Sequence, residues 1–251
     1  MTLVEQLVVL AAGFGAGVLT STVGVASLLS FPILVGIGLP PVVANATNTV
    51  GLTPAGLSGS WGYRSELREQ PRVAWVVIVT CALGSIGGAV LLLALDPSVF
   101  ESVVPWLILF TCLLVGVQPQ LSRWLRRRGA EAEPRTDAGP ATTLMSVVVG
   151  VYGGYFGAGS GVMMVAVLGF GLDLDLRVVN ALKTLAVAAA NVVASLIFLV
   201  VADLAWTVVG LLALGSIVGG YVGSRIGRRL PPTLLRCLIV AAGIAAAVVL
   251  S

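Results

Sequence analysis

Long apolar stretches, separated by short polar ones, constrain this chain more than any other feature. Residues 73–95 and 206–222 are two examples, and each is close to the roughly 20 residues that a helix needs to cross a bilayer. With 58% hydrophobic and only 10% charged residues, the chain has too little polar cover for a soluble protein. Strand-like alternation is absent. We therefore predict an all-α polytopic membrane protein with about eight to ten membrane segments.

The content of reactive side chains argues against catalysis. The chain has no histidine, which removes the commonest metal ligand, proton shuttle and triad base. Cys81, Cys112 and Cys237 lie in apolar segments without CxxC spacing, as expected for small buried hydrophobic residues. The "GAGSG" at 157–161 is not a phosphate loop, because no strand precedes it and no Gly-Lys-Ser/Thr ends it. We predict no enzyme activity, metal or cofactor.

Basic residues indicate the topology, because cytoplasmic loops are enriched in Lys and Arg. Three clusters mark the inside: Arg64, Arg68 and Arg72; Arg123, Arg126, Arg127, Arg128 and Arg135; and Arg225, Arg228, Arg229 and Arg236. Both termini lack Lys and Arg, so we place them outside, and residues 1–17 lack the basic segment of a cleaved signal peptide. The arginines cluster in short loops, as orientation in a membrane requires, and do not form a nucleic-acid-binding patch, so nucleic acid is not an expected partner.

The two halves of the chain repeat. "AWVVIVTCALGSIGG" from Ala74 matches "AWTVVGLLALGSIVGG" from Ala205, and "NATNT" from Asn45 matches "NALKT" from Asn180. The turn at 24–27 likewise matches "GAGS" at 157–160. We predict an N-terminal repeat at 1–122, a cytoplasmic linker at 123–140 and a C-terminal repeat at 141–251, since the linker is rich in Pro, Gly and charge.

The repeats are predicted to have inverted topology. Trp75 begins a segment that leaves the cytoplasmic side, whereas its counterpart Trp206 follows an acidic outer loop at Asp203. Inverted repeats are a recurring architecture of secondary transporters, in which the substrate binds near the midplane at the repeat interface. Enzyme and scaffold functions do not explain this arrangement.

Each half opens with a pair of apolar pieces that are shorter than an ordinary span. These pieces are residues 3–20 and 27–38 in the first half, and residues 144–156 and 161–171 in the second. Short, glycine-interrupted pairs at matching positions indicate a binding site, because irregular backbone is tolerated in a membrane only where protein or water satisfies it. The alternative is that glycines such as Gly13 and Gly153 only let helices pack closely.

These motifs resemble the sulfite exporter TauE/SafE permeases along essentially the whole chain. The resemblance rests on "GVASLLSFPILVGIGLPPVVANAT", on "GAGSGVMMVAVLGFGLDLDLRVVNALKT", on the "ALGSIGG" helices and on the closing "GSRIGRRLPPTLLR". The turn from Gly24 to Ser27 is poorer in glycine than the family's triple-glycine turn, and the second copy lacks a proline matching Pro32. The resemblance implies a multi-pass protein of the bacterial inner membrane that transports sulfite, thiosulfate or organosulfonates.

Lys183 is the candidate substrate-binding cation. It lies six residues past Arg177, or about 9 Å along a helix at 1.5 Å per residue, so it either snorkels to the inner interface or remains in the membrane. A buried ammonium is costly, and no carboxylate is expected in the deep part of any span. The missing counter-ion is then the substrate, an oxyanion bound by the cation, polar donors and helix N-termini.

The predicted site combines residues from both repeats. Its members are Lys183, Asn180, Thr184, Asn45, Thr47, Asn48, Thr49, Ser27, Gly159 and Ser160. We predict a secondary transporter, an exporter of small sulfur oxyanions or organosulfonates such as sulfite or sulfoacetate. The alternative is a permease for another small anion, such as carboxylate or thiosulfate uptake with proton coupling. The expected partners are the anion and the lipid bilayer, and a homodimer is left open.

The energy source is predicted from the lack of titratable groups inside the membrane. Asp96, Glu101 and Asp203 all fall at the expected outer rim. A membrane potential that is negative inside favours anion exit by about 2.3 kcal/mol per charge per 100 mV. We therefore expect electrogenic efflux without a coupling ion.

Overall fold

A computed structural model describes residues 1–128 and 136–226, with side chains except at 119, 121–128 and 226. This part of the chain is helical and contains no strand, which confirms the all-α prediction. Its ten helices are α1 Leu3–Thr22, α2 Ala26–Gly36, α3 Pro41–Gly62, α4 Arg64–Leu67, α5 Pro71–Ala94, α6 Pro97–Arg128, α7 Pro140–Tyr155, α8 Ser160–Gly171, α9 Leu176–Val201 and α10 Trp206–Ile226.

Five helices of the described chain are long and apolar enough to cross a bilayer, namely α1, α5, the first 22 residues of α6, α9 and α10. Helices α5 and α10 coincide with the apolar stretches predicted at 73–95 and 206–222. The total of eight to ten membrane segments stays a prediction.

The opening pieces of the two halves differ in length. Helix α1 has 20 residues and is long enough to span, so the expectation of a short first piece is wrong there. Its sequence continues as helix through Thr22, and the chain does not bend until Gly24. Helices α2, α7 and α8 have 11, 16 and 12 residues and are short as expected.

Helix starts follow local chemistry. Proline opens α3, α5, α6 and α7, where its missing N–H costs no helical hydrogen bond and its fixed φ suits the first turn. At α1 the Thr2 hydroxyl accepts from the N–H of Glu5, and the Glu5 carboxylate accepts from the N–H of Thr2. This reciprocal pair satisfies two of the four unpaired donors at the helix start.

Glycines allow two pairs of helices to approach backbone to backbone. A Cβ at Gly13 would lie 2.6 Å from the carbonyl oxygen of Leu212, and one at Gly17 would lie 2.6 Å from that of Ser216, so α1 and α10 run parallel in contact. Helices α5 and α7 make the matching pair, since a Cβ at Gly150 would lie 2.7 Å from the carbonyl oxygen of Cys81. Small residues at such crossings are typical of membrane helix packing.

Helices α3 and α9 pack against each other in opposite directions. Thr53 and Ser195 share a hydrogen bond of 2.7 Å between their hydroxyls. Further along α3, a Cβ at Gly56 would lie 2.9 Å from the Cα of Ala188, and one at Gly59 would lie 3.1 Å from Cγ2 of Thr184. Along these contacts the residue numbers rise on α3 while they fall on α9, so the two helices are antiparallel.

The predicted linker at 123–140 is helical at its start, because α6 continues to Arg128 and α7 begins at Pro140. Several predicted positions lie outside the described residues. They are Arg135 of the linker, Arg228, Arg229 and Arg236 of the third basic cluster, Cys237, and most of the closing motif.

Candidate functional site

Two helix breaks meet in the interior of the molecule. The α1–α2 break contains Gly24 with φ +88°, and the α7–α8 break contains Gly157 and Gly159 with φ +80° and +79°; these left-handed conformations suit glycine because it has no Cβ. A Cβ at Gly24 would lie 2.9 Å from the Cα of Gly161. The α1–α2 break, just before the start of α2, therefore lies against the first turn of α8, and neither of these half-length helices has a side-chain cap.

Lys183 lies beside this junction. Its side chain is fully buried, and its Cδ would be 3.3 Å from a Cβ at Gly24. Its Nζ donates to the carbonyl oxygens of Ser21 at 3.4 Å and Thr22 at 3.2 Å. The ammonium therefore does not reach the surface, and it binds the carboxyl end of α1, where the helix dipole favours a cation.

Asn48 joins α3 to the first turns of α2. Its Nδ2 donates to the Ser27 hydroxyl at 3.1 Å, and its Oδ1 accepts from the Ser30 hydroxyl at 2.5 Å. Asn48 is the repeat counterpart of Lys183 in the aligned "NATNT" and "NALKT". Among the predicted residues, Ser27 thus lies in the first turn of α2, Asn48 bonds to residues of α2, and Lys183 bonds to the end of α1.

Asn45 reaches the other break. Its Nδ2 donates to the carbonyl oxygen of Tyr155 at 2.9 Å, at the carboxyl end of α7. Its Oδ1 is buried without a partner among the described residues. Asn45 of α3 thus bonds to the carboxyl end of α7, as Lys183 of α9 bonds to the carboxyl end of α1.

Gly159 and Ser160 form the start of α8. The Ser160 hydroxyl donates to the carbonyl oxygen of Gly157 at 2.8 Å, which stabilises the turn. A Cβ at Gly159 would lie 2.8 Å from Cγ2 of Thr111. Both residues therefore shape the α7–α8 break next to the junction.

The remaining predicted residues bond to backbone. Thr49 and Thr184 are buried and donate to carbonyls four residues earlier in their own helices, at 2.9 Å and 2.8 Å. Asn180 likewise donates to Leu176 at 2.9 Å. The Thr47 hydroxyl accepts from the N–H of Ala205 at 3.2 Å, before α10. The hydrogen bonds of these four side chains are made with backbone groups and not with residues of the junction.

Three polar residues at the site had no distinguishing sequence signal. The Tyr63 hydroxyl donates to the carbonyl oxygen of Ser21 at 3.1 Å, and Nε2 of Gln118 donates to that of Val23 at 3.4 Å. Glu66 is a buried carboxylate in α4, which packs against α9, and it accepts from Ser65 at 2.6 Å. In the sequence, Glu66 lies between Arg64 and Arg68 of the first basic cluster, and nothing there marks it as buried.

The chemistry of the junction suits an anion better than a metal. No group of three His, Cys, Asp or Glu residues within the described ranges could hold a metal ion. Two uncapped helix N-termini, a buried cation and nearby hydroxyl and amide groups present positive potential and donors. A separate groove of about 740 Å³ lies between the start of α7 and the end of α8 and includes none of these residues.

Comparison with known proteins covers nearly the whole chain. Residues 9–250 match the family model described as "Sulfite exporter TauE/SafE". A "Probable membrane transporter protein" of Haemophilus influenzae is 28% identical over 235 residues, which cover 91% of this chain and 87% of the relative. The "Probable membrane transporter protein YfcA" of Escherichia coli K12 is 25% identical over 229 residues, covering 90% and 81%. No solved structure gives a significant match.

Proposed function

This chain belongs to the sulfite exporter TauE/SafE family of membrane transporters, and from that premise we propose that it exports small sulfur oxyanions or organosulfonates. Sulfite and sulfoacetate are the substrates we expect. The observation that carries the proposal is the contact of the α1–α2 break at Gly24 with the first turn of α8 at Gly161, beside the fully buried Lys183.

Electrostatics favour an anion at this junction. Each helix N-terminus stabilises a nearby negative charge by about 0.3–1 kcal/mol at an exposed site and up to about 2 kcal/mol when partly buried. When it is protonated, Lys183 adds a positive charge in a region of low dielectric. Ser27 at the start of α2, and Asn48 of α3, which donates to it, supply polar groups for the oxygens of a sulfite or sulfonate.

Inverted repeats are part of the proposal. Support comes from α3 and α9, which carry the aligned motifs and run antiparallel. The same hydrogen bond recurs in each, from Thr49 to Asn45 at 2.9 Å and from Thr184 to Asn180 at 2.8 Å. We propose further that both termini lie outside, in an inner membrane, and that the linker at 123–140 lies inside.

Single introduced cysteines test this topology in intact cells. The linker should react with an impermeant thiol reagent only after the membrane is opened, and a cysteine at Thr2 should react from outside. Linker labelling in sealed cells would contradict the inverted arrangement.

Transport is tested with purified protein in vesicles loaded with labelled sulfite, in a sodium-free choline buffer. The wild type should release sulfite in a saturable way, Lys183→Ala and Lys183→Gln should abolish release, and Lys183→Arg should retain part of it because the charge is kept. Arg177→Gln is the matched control, since Arg177 lies on the same helix but is exposed and paired with Asp175 at 3.5 Å. Near-normal release by Lys183→Ala, or equal loss in the control, would contradict the site.

A second candidate is a proton-coupled permease for another small anion, a carboxylate or thiosulfate. The observation that favours it is Glu66, a carboxylate in α4 that is buried beside α9 although its neighbours are arginines of the predicted inner loop, because buried carboxylates in transporters take part in proton relays. A clamped potassium gradient should accelerate or reverse sulfite flux in the electrogenic case. Flux that ignores voltage and follows a pH gradient would favour the proton-coupled permease.

A further inference from the structure

The carboxyl end of α1 is a cluster of backbone oxygens with unusual partners. The last four carbonyls of a helix have no intrahelical donor, and here Ser21 accepts from both Lys183 and Tyr63, while Thr22 accepts from Lys183. The partners come from α9 and from the end of α3. Ser21 is fully buried, whereas Thr22 is partly exposed, so protein donors and not solvent surround the Ser21 carbonyl.

Gln118 brings a further oxygen to the same turn. It is 5% exposed, and its Nε2 donates to the carbonyl oxygen of Val23 at 3.4 Å. The Oε1 of this amide is buried without a partner among the described residues. A buried acceptor without a donor is destabilising, and the Lys183 ammonium does not bond to this oxygen, so a free cation that reached it would stabilise Gln118.

The opposite break provides a comparison. The matching end of α7 is held by the neutral amide of Asn45 through the carbonyl oxygen of Tyr155. A positive charge therefore lies at the end of α1 and an uncharged group at the end of α7. The end of α7 shows that a helix can end at a break without a cation bound to its carbonyl oxygens. The carbonyl oxygens at the end of α1, in contrast, bind the Lys183 ammonium.

We propose that the end of α1 is a monovalent-cation site, in which the Lys183 ammonium binds the carbonyl oxygens of Ser21 and Thr22. A free cation that replaces the ammonium would bind these two oxygens and also Oε1 of Gln118. Carbonyls at half-helix carboxyl ends are the groups that coordinate Na⁺ in discontinuous transporter helices, and the helix dipole favours any cation there. The tethered ammonium makes the wild type independent of free Na⁺. Shortening the side chain opens the site to Na⁺.

Thermal unfolding in detergent tests this without any substrate, so its outcome is separate from that of the transport proposal. Lys183→Ala should unfold at a lower temperature than the wild type in choline chloride and regain stability in a saturable way when NaCl replaces choline at constant ionic strength. The unfolding temperatures of the wild type and of Arg177→Ala should be the same in choline chloride and in NaCl. Adding Gln118→Leu to Lys183→Ala should weaken the Na⁺ response at least severalfold in apparent affinity.

The contrary results are equally specific. A Lys183→Ala protein that responds equally to choline and Na⁺, or a wild type that Na⁺ stabilises, overturns the proposal. Where Lys183→Ala cannot be purified in choline, recovery of monodisperse protein in NaCl supports the site. Failure in both salts, for Lys183→Gln as well as Lys183→Ala, overturns it.

Discussion

Gly24→Ala is expected to destabilise the protein through two separate effects. The residue has φ +88°, and a left-handed conformation costs a non-glycine residue about 1–2 kcal/mol. The new Cβ would also lie 2.9 Å from the Cα of Gly161 and 3.3 Å from Cδ of Lys183. Because Gly161 contributes backbone, the two breaks must separate, and overpacking of this kind costs about 1–3 kcal/mol. The sum is about 2–5 kcal/mol.

Substitutions at two other glycines, Gly38 and Gly36, allow the backbone strain and the overpacking to be measured separately. Gly38 has φ +95° but open space around its Cβ position, so Gly38→Ala should cost only the backbone strain of about 1–2 kcal/mol. Gly36 is the last residue of α2 and also has open space, so Gly36→Ala should be neutral or stabilising by up to about 1 kcal/mol.

Thermal unfolding in detergent measures the difference, read out by a thiol-reactive dye on the buried Cys81 and Cys112. At about 2–4 °C per kcal/mol for a chain of this length, Gly24→Ala should unfold roughly 2–12 °C below Gly38→Ala. Equal unfolding temperatures for the two variants would refute the close contact between the breaks at Gly24 and Gly161.

Two further predictions concern the hydrogen bonds of two serines, Ser85 and Ser98. Ser85→Ala removes a buried 2.6 Å bond to the carbonyl oxygen of Ala190 between α5 and α9 and should cost about 1–3 kcal/mol, measured by the same unfolding assay. Hydrogen bonds from the hydroxyl and the N–H of Ser98 lower the pKa of Asp96, so this carboxylate stabilises the fold above its ordinary pKa and the effect is lost as pH falls through the lowered pKa. Ser98→Ala should raise the Asp96 pKa towards its ordinary value, as carbon-13 NMR of the carboxyl group would report.

Helix positions were predictable because apolar length and repeat spacing are written in the sequence. The stretch beginning at Trp206 is a helix that begins at Trp206, and the second of the two predicted breaks lies within one residue of "GAGS". The length of α1 was not predictable in the same way. Its Ser21 and Thr22 look like turn residues in sequence, but their hydroxyls bond to the carbonyl oxygens of Gly220 and Val18 and leave the helix intact.

The partners of Lys183 could not be found from sequence, because backbone carbonyls carry no residue signature. The prediction of a buried cation holds in the structure, but Ser21 and Thr22 oxygens supply its hydrogen bonds. Gln118 was missed for a related reason. It follows a long apolar segment in α6, where an amide is expected simply as the polar end of a membrane span. Only the fold brings Gln118 to the α1–α2 break.

The most direct test of an anion site at the junction is sulfite efflux from vesicles by Asn48→Asp. The substitution keeps the size of a side chain that contacts Ser27 at the start of α2, and a carboxylate there is compatible with the helix N-terminus, so the protein should fold while its own negative charge repels the substrate. Efflux should be lost in Asn48→Asp and retained in Asn180→Asp, whose parent side chain bonds to its own helix at Leu176. Unchanged efflux in Asn48→Asp, or equal loss in both variants of a folded protein, would contradict an anion site between α2 and α8.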